Sequence, residues 1–77
     1  MAYVKKIYRD FQERMNEIVE ELINLKGMSP ECEGGISFDL GWAQALLMNK
    51  EYLPPEVIKE DLEWFERKLL SWKNSCC

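Results

Sequence analysis

Seventy-seven residues, 47% of them hydrophobic, make one small domain with too much apolar surface for a disordered chain. Fourteen acidic against ten basic residues leave a net charge of −4, which opposes non-specific binding to nucleic acid. The absence of histidine and a count of three cysteines argue against a metal-built fold and against a familiar catalytic constellation.

The first predicted element is a long helix from about Ala2 to Lys26. Val4, Tyr8, Phe11, Met15, Ile18, Leu22 and Leu25 recur alternately four and three residues apart. This 3.5-residue rhythm draws one apolar seam along a helix, and such a seam has to be buried against another helix. The interior lacks Gly and Pro, Gly27 stands where a C-terminal cap belongs, and at ~1.5 Å per residue the helix is roughly 37 Å long. The seam can close within the chain or between two copies, and both remain open at this level. Gly27 to Gly35 reads as a loop, with Ser29-Pro30-Glu31 as cap and first turn and Gly34-Gly35 as a flexible joint.

A second helix is expected from Ser37, as N-cap, to about Tyr52. Phe38, Leu40, Trp42, Ala43, Ala45, Leu46, Leu47, Met48 and Tyr52 leave it little polar face, which reads as a central helix packed on several sides. Gly41, Ala43 and Ala45 would let neighbouring backbones come close. Leu53-Pro54-Pro55 ends this helix. A third helix follows from Pro55 to about Lys73, with Glu56 in its first turn and a stripe of Ile58, Leu62, Phe65, Leu69 and Trp72. Asn74 to Cys77 is expected to fray. The predicted fold is therefore all-α: a single domain over residues 1–77, a three-helix bundle running up-down-up, with dimerisation through helix 1 as a second use of its seam.

Charge order supports that topology. Helix 1 is basic at its start (Lys5, Lys6, Arg9) and acidic toward its end (Glu17, Glu20, Glu21), whereas helix 3 is acidic first (Glu56, Glu60, Asp61, Glu63) and basic last (Arg67, Lys68, Lys73). Laid parallel, the two place opposite charges together at both ends, which selects orientation even though each exposed pair is weak. An antiparallel pair of first helices from two chains satisfies the same pattern.

Function is less legible than fold. Glu13, Glu17, Glu20 and Glu21 run into Glu31 and Glu33, and residues 15 to 39 hold six acids against one base, Lys26. Such a surface suits a small inhibitor, antitoxin or immunity-type protein that occupies a basic site on a protein partner, and a solvated helix face is the plainer account. Trp64, off the stripe of helix 3, is either a binding hot spot or a widening of the core-facing side. The expected partner-binding residues are accordingly Glu13, Glu17, Glu20, Glu21, Glu31, Glu33 and Trp64. The alternative is an assembly protein that self-associates through the helix 1 seam.

Catalysis has no foothold, because Ser29, Ser37, Ser71 and Ser75 read as caps, loop or helix-end residues and no nucleophile–base pair stands at a recognised spacing. No metal or cofactor is expected. A helix-turn-helix is disfavoured, since a recognition helix beginning at Pro55 would present Glu56, Glu60 and Asp61 to DNA. No apolar run approaches the ~20 residues that span a bilayer, and Met1 to Arg9 has no signal-peptide core. Three cysteines without paired spacing point to free thiols in a reducing, cytoplasmic setting. The terminal Cys76-Cys77 resembles the prenylated end of Rab-type GTPases, which implies a lipid anchor; the GxxxxGK[ST] phosphate loop of that family has no counterpart here.

Overall fold

The computed structural model describes residues 2–76, with side chains from Lys6 to Ser75. Three helices follow one another: α1 (Ala2–Met28), α2 (Glu33–Asn49) and α3 (Pro55–Cys76). Short 3-10 turns at Pro30–Cys32 and Lys50–Tyr52 lead into and out of α2. No strand occurs among the described residues, and the body is a rod of 44 × 19 × 16 Å.

The seam of α1 closes within the chain. Phe11, Met15, Ile18, Leu22 and Leu25 are buried and Tyr8 is half-buried, while Val4 lies outside the described side chains. Against the seam α2 sets Ile36, Leu40, Ala43 and Leu46, and α3 sets Ile58, Phe65 and Leu69. Burying a side chain of this size contributes ~1.5–3 kcal/mol, so this one interlocked cluster supplies most of the stability. The large apolar side chains left exposed lie off this seam: Ile23 and Met28 on α1, Phe38, Trp42 and Met48 on α2, Tyr52 on the turn after it, and Leu70 on α3.

Two ion pairs fix the direction of α3. Arg14 Nε donates to Glu66 Oε1 at 2.7 Å, and Lys73 Nζ donates to Glu21 Oε1 at 2.6 Å. The step from 14 to 21 on α1 matches the step from 66 to 73 on α3, so the two helices run parallel and α2 returns between them. At the other end of the rod the Tyr8 hydroxyl donates to the Leu53 carbonyl at 2.9 Å, tying the start of α1 to the α2–α3 link. These pairs are exposed and individually weak, and their value lies in register.

Several sequence expectations need correction. α1 runs through Gly27 to Met28 and closes with a Ser29 N–H to Leu25 carbonyl bond of 2.9 Å; Gly27 is helical and no described residue has positive φ. α2 starts at Glu33 rather than Ser37, because the Pro30–Cys32 turn feeds straight into it and Gly34-Gly35 become its first turn instead of a joint. α3 continues past Lys73 to Cys76. The central helix is α1, not α2: α1 packs along both others, whereas α2 and α3 meet over a short stretch. Cys32 is not a free thiol but disulfide-bonded, which removes the cysteine argument for a reducing compartment. The terminal pair Cys76-Cys77, on which the lipid-anchor reading rests, lies outside the described side chains.

Two adjacent glycines separate into different roles. A Cβ built on Gly35 would sit 2.5 Å from Cη2 of the Trp72 indole, while nothing lies within 4 Å of the same position on Gly34. Gly34→Ala should therefore stabilise the fold by about 0.5–1 kcal/mol through helix propensity, and Gly35→Ala should destabilise it by displacing a ring held by a hydrogen bond; urea unfolding of the two variants checks the opposite signs. Cys32→Ser should lower stability by about 2–4 kcal/mol and abolish the response of the melting temperature to reductant.

Candidate protein-binding surface

The inner side of α2 carries one buried carboxylate. Asp39 stands three residues after Ile36 and four before Ala43, on the buried side of the helix, and is only 4% exposed. Trp72 Nε1 donates to its Oδ2 at 2.8 Å, and Lys68 Nζ approaches the same oxygen to 4.0 Å. The Lys68 ammonium also lies 5.0 Å from the ring centroid of Trp72 and 5.7 Å from that of Trp64, one helical turn to either side of it on α3. A desolvated carboxylate is thus answered by an indole N–H and a nearby cation, and no buried side-chain polar atom among the described residues lacks a partner.

An aromatic cluster adjoins this contact. Trp42 of α2 meets two rings of α3: its centroid lies 4.6 Å from that of Trp64 at 61° and 5.3 Å from that of Phe65 at 54°. These inclined ring contacts pin α2 to α3. Trp64 is half-buried within them, so it widens the core-facing stripe and is not a free anchor.

The outer side of α2 is apolar and uncovered. Phe38 is 77% exposed, Met48 81% and Tyr52 83%, with Gly41 and Ala45 exposed between them. Of Gly41, Ala43 and Ala45, only Ala43 is buried, where it belongs to the core cluster. The helix is apolar all round because one side forms the core and the other side forms surface.

Most of the expected acidic residues are exposed. Glu13, Glu17 and Glu20 are exposed along the outside of α1, and Glu31 and Glu33 are exposed at the α1–α2 connection. Two of the set take part in ion pairs: Glu21, half-buried, receives Lys73, and Glu17 receives Arg14 Nη1 at 2.9 Å. Hydrogen bonds to Glu66 first and Glu17 second raise the Arg14 guanidinium above its ordinary pKa, and the Glu66 contact carries the pair across from α1 to α3. Trp64 does not join the acids; it lies with Trp42 on the α2–α3 side.

Two shallow grooves score the rod. One of about 480 Å³ runs among Tyr8, Arg9, Glu13 and Lys50, and one of about 520 Å³ lies between the starts of α1 and α3, beside Ile7, Phe11, Ile58 and Leu62. Neither gathers a nucleophile with a base. No cluster of His, Cys, Asp or Glu suited to a metal occurs among the described residues, and none of their helices is long and apolar enough to cross a membrane.

Asp39 and the outer stripe of α2 are the features sequence reading missed. The signal for Asp39 was an acid standing at the spacing of the apolar residues Ile36 and Ala43, and the signal for the stripe was apolarity in excess of what one neighbouring helix can cover. Comparison with known proteins adds no assignment: no family model, no curated protein and no solved structure matches the chain.

Asp39→Ala should cost about 1–3 kcal/mol, because it strands the Trp72 N–H beside Lys68, whereas Asp39→Asn keeps an acceptor and should cost less. Chemical denaturation followed by tryptophan fluorescence measures both.

Proposed function

We propose that this chain acts by contact rather than by catalysis: it is a protein-binding module whose contact surface is the outer side of α2, flanked by the acidic outer face of α1. The observation that carries the reading is the exposure of Phe38, Met48 and Tyr52 on one side of a well-formed helix. A small soluble domain gains no folding energy from large apolar side chains held in water, and contiguous patches of this kind mark interaction sites. Aromatic and methionine side chains are also the residue types that dominate binding energy at interface centres.

The acidic residues play the second part. Glu13, Glu17 and Glu20 project from α1 and set the sign of the field around the module, which speeds encounter with a partner bearing basic side chains. This keeps the inhibitor-like expectation from the sequence but moves the main contact from the carboxylates to the apolar face of α2.

The test is capture by immobilised protein from lysate of its own cells. A Phe38→Glu/Tyr52→Glu variant should lose the captured partner while its far-UV circular dichroism stays unchanged. Glu13→Lys/Glu20→Lys, which leaves the Arg14–Glu17 pair intact, should retain the partner but slow its association severalfold at low salt. Undiminished capture by the Phe38→Glu/Tyr52→Glu variant would remove α2 from the binding surface.

A further inference from the structure

We infer that the outer side of α2 is covered by a second copy of this chain, the two α2 helices packing antiparallel about a two-fold axis level with residue 43. The inference rests on the protein-binding reading above and names the partner.

The exposed residues are ordered rather than scattered. Gly34, Phe38, Gly41, Ala45, Met48 and Tyr52 follow one another at intervals of four, three, four, three and four, the rhythm of the α1 seam, and all six are exposed. α2 thus carries a second helix-packing seam that nothing within the chain covers. Tyr52 extends it on the 3-10 turn that ends the helix.

The seam reads the same way from either end. Reversed about position 43, Gly34 falls opposite Tyr52 of the second copy, Phe38 opposite Met48, and Gly41 opposite Ala45. The bulkiest residue meets a position with no side chain, two mid-sized ones pack together, and the two smallest meet at the crossing, where the backbones come closest. Parallel packing would instead set Tyr52 on Tyr52 and Phe38 on Phe38, holding the helices apart at both ends and leaving a gap at Gly41. Antiparallel packing also opposes the two helix dipoles. A two-fold contact of this kind uses the same patch on both molecules and closes on itself.

Gly41 is a separate observation. It stands in the interior of a helix, where glycine weakens the helix, and nothing within 4 Å occupies the place its Cβ would take. No packing within the chain calls for a glycine there. A helix crossing at that point does.

Area and charge agree. Phe38, Met48 and Tyr52, at 77, 81 and 83% exposure, offer roughly 500 Å² per copy, so that two copies bury about 1,000 Å², the lower bound of a specific interface. Between Gly34 and Asn49 the one charged side chain is Asp39, which is buried on the opposite side, and Lys50 and Glu51, of opposite sign, follow on the closing turn. Two chains of net charge −4 can therefore meet along the helical part of this face without bringing like charges into contact. The acidic faces of both α1 helices stay outside the pair.

Sedimentation equilibrium of the full chain across a concentration series tests the proposal. The wild type should give about twice its 9.1 kDa mass, and Phe38→Lys and Met48→Glu should each fall to half that value with unchanged circular dichroism. Mixing the two variants should restore the doubled mass, because residue 38 of one chain then faces residue 48 of the other. A wild type that stays monomeric at every concentration overturns the second copy as partner; if the α2 variants still lose a captured protein, the protein-binding reading stands. A dimer that survives both substitutions, or two monomeric variants that fail to rescue each other, also overturns the proposed packing.

Discussion

The structure depends on burying one strip of side chains along α1. A helix presents about one such strip to each neighbour, and the 3.5-residue recurrence from Tyr8 to Leu25 keeps the strip straight over the length of the rod. Phe11, Met15, Ile18 and Leu22 are almost completely enclosed because α2 and α3 both lean on them. The long helix therefore serves as the shared wall, and the two shorter helices spend their inner faces on it. They meet each other over a short stretch at the aromatic cluster and Asp39, so most of the outside of α2 has no intramolecular neighbour.

A bundle held by apolar contact alone leaves its helices some freedom to slide and rotate. Asp39 restricts that freedom. Its carboxylate is satisfied when Trp72 brings its N–H to 2.8 Å and Lys68 lies close, which one rotation of α3 against α2 provides. Desolvation offsets much of what this contact gives in energy, so its effect is on specificity more than on stability. Gly35 belongs to the same arrangement, since the Trp72 ring occupies the space a larger residue would fill. The Arg14–Glu66 and Glu21–Lys73 pairs set the register of α3 on α1 in the same manner at the surface.

What could be read from the sequence follows from where each signal lives. The α1 seam, the proline stop before α3 and the reversed charge order of the outer helices are local or periodic, and they led directly to three helices running up-down-up. The start of α2 is hard to place because Gly34-Gly35 looks like a hinge in isolation; the Pro30–Cys32 turn that launches the helix adjoins it, but the indole that requires Gly35 belongs to Trp72, far along the chain. The rank of α2 is hidden for a different reason. Apolarity on all sides is shared by a helix enclosed by its own fold and a helix with one side turned to another molecule, and composition does not separate them. Among the site residues, the exposed positions of Glu13, Glu17 and Glu20 follow from helical phase and those of Glu31 and Glu33 from their place in the α1–α2 connection, whereas the involvement of Trp64 with Trp42 depends on how two helices cross.

A domain of this size has little stability to spare, so residues that do nothing for the fold are informative. Phe38, Met48 and Tyr52 are largely exposed and stand outside the core cluster that packs on α1. Exposed at regular intervals, they make the free chain stickier and less soluble, a disadvantage the fold does not require. Gly41 weakens the same helix without relieving any crowding within it. Both features run against the interest of an isolated monomer and are what the proposed pair of α2 helices would use. Such an association would offset the small core by mass action, since a contact made only by the folded chain pulls the folding equilibrium toward the native state.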